Sequence, residues 1–201
     1  MEWKLIDIKQ ETNHKFLNFF TLIYEIKDKN NEIKKYEYFM ASRHNKDELY
    51  ALNKNKRPDG VLIPCYYVNP NNKEISLLIT TQFRPPLNSY VTSICAGLLD
   101  EGDDLLSAAK REALEEGGVI IDNLEILAKS APTSSGLSDE RDAVVLGEIV
   151  GFASNHLEEF EDISTKLIPL KELEAMLDDD RYLFALSVRL IIKYLIMRFK
   201  Q

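Results

Sequence analysis

Apolar and polar positions along the first fifty residues predict a β-hairpin. The run FLNFFTLIYEI, from Phe16 to Ile26, is rich in aromatic and β-branched residues. A polar segment, KDKNNE, follows it, and IKKYEYFMASR then repeats the strand pattern up to Arg43. Two such runs on either side of a polar turn are typical of antiparallel strands. The polar stretch HNKDELYALNKNKRPDG comes next and predicts a short helix or a linker, so we place a domain boundary near residue 50.

Strand and helix signals alternate along the rest of the chain. VLIPCYYV (61–68) and ISLLITTQF (75–83) flank the turn NPNNK and predict a second hairpin. RPPLNSYVTSICAG predicts a loop and a short strand, and further strands are predicted at 119–129 and 141–152. Two helices are predicted last, PLKELEAMLDDD and the amphipathic YLFALSVRLIIKYLIMRFK. Strands interleaved with helices indicate an α/β or α+β layered domain over residues 51–201.

Composition and charge narrow the class of protein. Apolar content of 45% and charged content of 29% are ordinary globular values. A net charge of −8 argues against a nucleic-acid partner. The start MEWKLIDIKQ is too charged for a signal peptide, and Arg189, Lys193 and Arg198 interrupt the last apolar tract, which argues against a membrane span. We therefore expect a cytoplasmic protein, with Cys65 and Cys95 as reduced core thiols.

The segment GLLDEGDDLLSAAKREALEEGG, from Gly97 to Gly118, combines a helix signal with seven acidic side chains. Leu, Ala, Lys, Arg and Glu are good helix formers, so a helix is predicted from Leu105 to Glu116, and the two glycines that follow provide a stop. Asp103 or Asp104 is predicted at the helix N-terminus, where an acid satisfies free amide groups.

Three glutamates crowd the opposite end of this predicted helix. Glu112, Glu115 and Glu116 are three or four residues apart and project from one side of its last turns. Because the helix dipole disfavours anions there, we expect a compensating cation. Carboxylate oxygens suit Mg²⁺ or Mn²⁺, which would also bind a substrate phosphate. Arg111 is predicted to orient the site by pairing with one of the carboxylates. A solvated acidic face is the alternative for these residues taken alone.

The full spacing of the segment resembles the Nudix box, G-x5-E-x7-R-E-U-x-E-E-x-G-U, in which U is apolar. The matching positions are Gly97, Asp103, Arg111, Glu112, Ala113, Glu115, Glu116, Gly118 and Val119. A chance match in a chain of this length is on the order of one in a million. Asp103 stands where the pattern has glutamate. A shorter acid should be tolerated there, because in the family that position caps or orients the loop.

Nudix proteins hydrolyse a nucleoside diphosphate linked to another group. The resemblance implies a Nudix-type α/β/α sandwich with a mixed sheet, preceded by the N-terminal antiparallel β-hairpin. It also implies that Glu112, Glu115 and Glu116, with the backbone carbonyl of Ala96, hold Mg²⁺ against the diphosphate of a small-molecule nucleotide, and that Glu115 takes part in catalysis.

Further stretches are similar to ADP-ribose pyrophosphatases. QFRPP (82–86) precedes AGLLDEG, as in that subfamily, and Arg84 is expected to contact a phosphate or ribose. Leu98 is expected to face the terminal ribose, and Gly97 and Gly136 to contact the substrate. ADP-ribose, cleaved to AMP and ribose 5-phosphate, is the leading substrate. Another nucleotide sugar, NADH or a dinucleoside polyphosphate is the alternative within the enzyme class. A non-catalytic Nudix-fold nucleotide sensor is the alternative outside it, and the complete box argues against that function.

Two later stretches resemble loops that carry further acids in these enzymes. SSGLSDE (134–140) resembles the loop S-P-G-x-x-x-E, so Glu140 is a candidate for metal binding or substrate positioning. EEFEDISTKLIPLKEL resembles the late acidic loop that supplies the general base. Glu159 is the first choice for that base and Glu161 the second.

The N-terminal hairpin also has a counterpart in ADP-ribose pyrophosphatases. There it is exchanged between the subunits of a dimer and helps to bind the adenosine end, so the resemblance implies a homodimer. Arg43 and an aromatic residue, Phe19 or Phe39, are candidates to hold the base by stacking and cation contact. The alternative is that these aromatic side chains form the hairpin core, and the same ambiguity applies to Trp3.

Overall fold

The computed structural model describes residues 1–155, 157 and 162–200, and the chain forms two compact units. The first unit contains Met1–Pro58 and Ser130–Arg141. The second contains Asp59–Lys129 and the chain from Asp142 onward. The domain boundary near residue 50 stays a prediction.

The first unit is built on a three-stranded antiparallel sheet with the order β1-β2-β3. Its strands are β1 (Glu2–Gln10), β2 (Asn18–Lys27) and β3 (Ile33–Ser42). The predicted hairpin is therefore present, and its register runs from Asn18 opposite Ser42 to Lys27 opposite Ile33. Strand β1 was not predicted, because its charged residues hide the apolar alternation that it presents to β2.

The polar stretch after β3 contains a short helix. The sequence had predicted either a short helix or a linker there. A 3₁₀ turn at Lys46–Glu48 leads into α1 (Tyr50–Asn53). Leu49, between them, is fully buried and completes the core of the first unit. The other buried members of that core are Ile8, Phe20, Leu22 and Met40.

Among its described residues, the second unit contains most of a mixed sheet and three α-helices. The main strand order is β11-β6-β5-β10-β4-β8, while β7 pairs with β6 and β9 pairs with β10. Strands β4 and β5 run parallel to β10, and the pairs β4–β8, β5–β6, β6–β7 and β6–β11 are antiparallel. The elements are β4 (Gly60–Ile63), β5 (Cys65–Val68), β6 (Ile75–Arg84), β7 (Ser89–Ser93), β8 (Cys95–Leu98), α2 (Leu105–Glu115), β9 (Val119–Pro132), β10 (Arg141–Phe152), β11 (Ile163–Pro169), α3 (Leu170–Leu177) and α4 (Leu186–Phe199).

The predicted strand at 61–68 is in fact two strands, divided at Pro64. Proline has no backbone N–H to donate to a neighbouring strand, so the ladder is interrupted there. Cys65–Val68 still forms the predicted hairpin with β6, whereas Gly60–Ile63 pairs with β8 and β10. The prediction of one short strand before the acidic segment was also wrong, because Ser89–Ser93 and Cys95–Leu98 form two strands.

Helices cover both faces of this sheet. Adjacent strand residues such as Leu77 and Leu78 point to opposite faces, as the pleat requires. Leu78 belongs to the core that contains Ala109 of α2, and Leu77 belongs to the core that contains Leu173 of α3 and Ile192 of α4. The second unit is therefore an α/β/α sandwich, and the predicted fold class is confirmed.

Among the described residues, no helix is both long enough and apolar enough to cross a lipid bilayer.

Candidate active site

Helix α2 carries most of the box and is fixed at both ends by its own sequence. The side chain of Asp104 caps its N-terminus by accepting a hydrogen bond from the backbone N–H of Ser107 at 3.0 Å, and this bond lowers the pKa of Asp104. The chain leaves the helix at Gly117 and Gly118, and Gly118 has a φ of +62° that favours glycine. The helix ends one residue before the predicted Glu116, which forms its C-cap.

Asp103 does not cap the helix, although it was one of the two residues considered for that position. Its Oδ2 atom instead accepts a hydrogen bond from the backbone N–H of Asp100 at 3.1 Å, inside the loop before the helix. The same oxygen lies 3.5 Å from Nη2 of Arg111. Asp103 therefore closes the loop and contacts the arginine of the box.

Arg111 pairs with more acids than the one that was predicted. Its Nη1 atom lies 2.7 Å from Oε1 of Glu112 and 3.0 Å from Oε2 of Glu115, in addition to the contact with Asp103. Burial by itself lowers the pKa of Arg111, but the charge of Glu112 and the bonds to Glu115 outweigh it and raise that pKa. Arg111 is thus a permanent cation that holds two of the box glutamates in place.

Glu116 reaches from the end of α2 to strand β8. Its Oε2 atom accepts a hydrogen bond from the backbone N–H of Ala96 at 2.9 Å. The N–H of Ala96 therefore points away from its partner on β4, Leu62. In an antiparallel strand the N–H and C=O of one residue point to the same side. The carbonyl of Ala96 accordingly faces the same edge as Glu116.

Gly97 lies against the carboxylate of Glu112. A Cβ atom at position 97 would be 2.0 Å from Cδ of Glu112, so the carboxylate would have to move to make room for it. The box glycine is therefore needed because the acid occupies the space beside the strand. Glu112 and Glu116 are both nine-tenths buried, whereas the side chain of Glu115 is 42% exposed.

This donor set fits a hard divalent cation. Two buried carboxylates and one backbone carbonyl lie along β8, and these are the oxygen ligands that Mg²⁺ and Mn²⁺ prefer. Within residues 1–155, 157 and 162–200, however, no three His, Cys, Asp or Glu side chains are gathered closely enough to form a complete metal cluster. Arg111 supplies part of the positive charge that we expected from a metal alone.

The other predicted site residues are distributed over both units. In the second unit, Arg84 ends β6 and Leu98 ends β8, and both side chains are exposed. In the first unit, Nε of Arg43 lies 3.0 Å from Oε1 of Glu140, and the carbonyl of Gly136 accepts a hydrogen bond from the hydroxyl of Tyr38 at 2.7 Å.

Glu159 and Glu161, the two candidates for the general base, lie outside the described residues.

Tyr90 was missed by the sequence reasoning. Its hydroxyl donates a 2.5 Å hydrogen bond to Oδ2 of Asp162, which raises the pKa of Tyr90. The ring also packs edge-on against Phe83, next to Arg84. Tyr90 lies in the stretch RPPLNSYVTSICAG, where the sequence predicts a loop and a short strand, and tyrosine is too common in strands to indicate a role there.

Cys65 and Cys95 are free and buried, as predicted. A hydrogen bond between the two thiols and their burial raise the pKa of Cys95 well above its usual value, so this thiol stays protonated. Both belong to the core between α2 and the sheet.

Comparison with known proteins agrees with this geometry. The NUDIX domain family model matches residues 56–186. An ADP-ribose pyrophosphatase of Saccharomyces cerevisiae is 38% identical over 60 residues, which cover 30% of this chain and 26% of that protein. The chain thus spans about a quarter of the length of this relative. A crystal structure titled as an ADP compounds hydrolase has a TM-score of 0.70 at 16% identity, over 99% of this chain and 94% of its own. Because the family model matches well over half of the sequence, this chain belongs to the Nudix family.

Proposed function

We propose that this Nudix protein is a pyrophosphohydrolase that cleaves ADP-ribose to AMP and ribose 5-phosphate with Mg²⁺ or Mn²⁺. The observation that carries this proposal is the arrangement around β8. Arg111 holds Glu112 and Glu115, while Glu116 is bonded to Ala96. Burying a charge is costly unless it is compensated, and a bound divalent cation would add to the compensation that Arg111 and the N–H of Ala96 provide.

The carboxylates of Glu112, Glu115 and Glu116 and the carbonyl of Ala96 would hold the metal ion. When bound, that ion would polarise the diphosphate and lower the pKa of the attacking water. Arg111 fixes the orientation of Glu112 and Glu115, and Gly97 leaves room for the Glu112 carboxylate. Because these groups are oriented before substrate arrives, little reorganisation is needed during the reaction.

The choice of ADP-ribose rests on the similarity to relatives and on residues outside the box. The yeast relative bears the name ADP-ribose pyrophosphatase, and the solved structure is titled as a hydrolase of ADP compounds. Arg84 is proposed to contact a phosphate or ribose, and Gly97, Leu98 and Gly136 to contact the substrate. The exposure of Arg84 at the end of β6 supports that role.

Arg43 is proposed to help hold the adenosine end, with Phe19 or Phe39. Its ion pair with Glu140 means that a substrate contact must either share or replace that partner. Thr133 also donates to the second oxygen of Glu140, so this carboxylate is held from two sides. Such a fixed acid suits substrate positioning or metal binding more than it suits a mobile general base.

We further propose that the protein acts as a homodimer in the cytoplasm and that Glu159, or else Glu161, is the general base. The dimer and the general base rest on the resemblance of the hairpin and of the late acidic loop to ADP-ribose pyrophosphatases, and the location rests on the charged start and the interrupted last apolar tract.

Product analysis tests the proposed reaction. ADP-ribose, NADH, a nucleotide sugar and a dinucleoside polyphosphate are each incubated with the protein and Mg²⁺, and products are separated by ion-exchange chromatography. We expect AMP and ribose 5-phosphate from ADP-ribose, at a higher kcat/KM than for the other compounds, and no reaction in chelator. Faster cleavage of another compound would make that compound, and not ADP-ribose, the preferred substrate. Saturable binding of ADP-ribose without any turnover would indicate a sensor instead.

A further inference from the structure

A cavity of about 320 Å³ lies within the second unit, between the sheet and helix α3. One wall is formed by strands β6, β7 and β11, and the other by α3 and Tyr182. A cavity of this volume is at the small end of the range for small-molecule sites. Among the described residues that line it, none is assigned above to the diphosphate, the metal or the adenosine end.

The cavity is on the opposite side of the sheet from the helix of the box. Ile79 and Ile168 line it, and both belong to the core that contains α3 and α4. Leu78, one residue before Ile79, belongs instead to the core that contains α2. Successive residues of a strand point to opposite faces, so the sheet separates the cavity from α2. The cavity is accordingly a different site from the one proposed for the diphosphate.

Three hydroxyl groups form a row across the sheet wall of this cavity. Thr81 of β6 is opposite Ser164 of β11 on one side and opposite Thr92 of β7 on the other. Residues directly opposite each other on neighbouring antiparallel strands share a face of the sheet, and all three line the cavity. Thr165 and Tyr182 line it as well, so half of its described lining residues carry a hydroxyl group.

The hydroxyl of Thr92 is held in this wall without a protein partner. Thr92 is only 5% exposed, and its backbone N–H donates a 2.7 Å hydrogen bond to the carbonyl of Leu183. Within the described part of the chain, the hydroxyls of Thr92 and Thr81 make no hydrogen bond, yet both keep some accessible surface that a ligand can reach. Buried polar groups are normally hydrogen-bonded, because an unmet bond is unfavourable. The row therefore offers donors and acceptors to a ligand.

One cation and one anion complete the polar lining. Lys166 is two residues after Ser164 on β11 and so shares its face, and Glu172 is in the first turn of α3. Neither has an ion-pair partner among the described side chains. The two charges cancel, so a ligand with a net charge would leave one of them unbalanced. The cavity therefore favours a ligand that is polar and carries no net charge.

We propose that this cavity binds a neutral polyhydroxylated ring, such as a free monosaccharide or a cyclitol. The hydroxyl groups of this ligand exchange hydrogen bonds with Thr81, Thr92 and Ser164, since a hydroxyl both donates and accepts. Lys166 donates to further ligand hydroxyls and Glu172 accepts from them, and such charge-assisted bonds are stronger than neutral ones. The C–H faces of the ring pack on the apolar side chains of the cavity.

Titrations followed by saturation-transfer NMR test the site with myo-inositol, D-glucose and D-ribose, and with cyclohexanol as the matched control. Cyclohexanol keeps the carbon ring of myo-inositol but has a single hydroxyl group. We expect saturable binding of at least one polyol, and at least about 10-fold weaker binding of cyclohexanol than of the tightest polyol, because several hydrogen bonds are lost. Chelator is present and nucleotide is absent, so the result does not depend on the proposed hydrolysis.

Matched substitutions locate the binding. Thr81→Val, which removes one hydroxyl of the row, should weaken the tightest polyol about 3- to 10-fold. Thr80→Val is the control, because Thr80 points to the opposite face of β6 and should not change the affinity when it is replaced. Lys166→Met, at an exposed position, should weaken the polyol about 10-fold. Glu116→Gln should leave polyol binding unchanged, which keeps this test independent of the proposed active site.

An absence of saturable binding for all three polyols would overturn the proposal, and so would equal affinities for cyclohexanol and the tightest polyol. Unchanged polyol binding in both Thr81→Val and Lys166→Met would place the ligand elsewhere and overturn it as well. L-serine is titrated in the same way, and tighter binding of L-serine than of any polyol would assign Lys166 and Glu172 to a zwitterion instead. If circular dichroism shows that Thr81→Val is unfolded, Lys166→Met decides the matter, since Lys166 is exposed.

Discussion

The carboxylate of Glu112 fills the space in which a side chain at position 97 would begin. A Cβ atom there would lie 2.0 Å from Cδ of Glu112 and 2.3 Å from each of its oxygens. The position of the Glu112 carboxylate therefore depends on the absence of a side chain at the glycine that opens the box. This contact gives the box glycine a role that does not depend on backbone conformation.

Gly97→Ala should displace the carboxylate of Glu112 and lower kcat about 100-fold, because a displacement of about 1 Å is enough to misplace a reacting group. Glutamate is flexible, so the fold should survive, and thermal unfolding should show a Tm close to that of wild type. Steady-state kinetics with ADP-ribose measures the effect. Gly151→Ala is the control, since a Cβ there meets only ordinary contacts at 3.4 Å or more. Equal activity of the two variants would contradict the steric argument.

Glu116→Gln should remove most of the Mg²⁺-dependent activity, on the order of 100-fold in kcat/KM. The amide oxygen of glutamine can still accept the hydrogen bond from Ala96, so the loss would reflect charge and not structure. Activity titrated against Mg²⁺ concentration should show a weaker apparent affinity for the ion. Glu101→Gln, which changes an exposed acid of the same segment, serves as the control. Turnover near the wild-type value would refute the metal assignment.

Arg111→Lys tests whether the arginine orients the acids or merely supplies charge. Lysine keeps the positive charge, but it cannot reach Asp103, Glu112 and Glu115 from one planar group. We expect a decrease in kcat of about 10- to 100-fold, as is usual for partners that orient metal ligands. Lys110→Arg, at the neighbouring exposed position, should have no effect on kcat. A fully active Arg111→Lys enzyme would mean that charge alone is required.

Asp104 should make the stability of helix α2 depend on pH. The hydrogen bond from Ser107 lowers the pKa of Asp104 below its ordinary value of 3.8, so the folded state favours the ionised form. The ionised Asp104 therefore stabilises the helix fully above the ordinary pKa of 3.8. This stabilisation is lost as the pH falls through the lower pKa that Asp104 has in the folded state. Asp104→Ala should lower Tm by about 2–4 °C at neutral pH, and the difference should shrink below about pH 4. A difference in Tm that stayed constant across this range would show that the cap does not require the charge.

The general base can be assigned by comparing Glu140→Gln, Glu159→Gln and Glu161→Gln. Loss of the base should lower kcat far more than it raises KM, because proton transfer contributes in the transition state. Glu159→Gln is expected to show the largest decrease in kcat, about 100-fold or more. Glu140→Gln should also raise KM, since the substitution weakens the ion pair with Arg43. An unchanged kcat in Glu159→Gln would move the role to Glu161 or Glu140.

The sequence predicted the helix of the box and the crowding of its glutamates at one end, because spacing of three and four residues fixes which side chains share a helix face. It could not predict that Arg111 contacts Asp103 as well as Glu112 and Glu115, since those distances depend on how the loop closes against the helix. The break at Pro64 could have been predicted from the missing N–H. Strand β1 could not, because its side chains Lys4, Asp7 and Lys9 resemble those of a solvated tail.

Strand β8 ends the main strand order of its sheet, and Glu116 covers one of its outward N–H groups. Uncovered strand edges can pair with another chain and begin aggregation. The bond from Glu116 to Ala96 therefore has a second consequence, since it occupies a donor with which the edge of another chain could otherwise pair. Replacing Glu116 with a residue that cannot accept a hydrogen bond would then affect solubility as well as turnover, so the loss of activity in such a variant has to be measured on monodisperse protein.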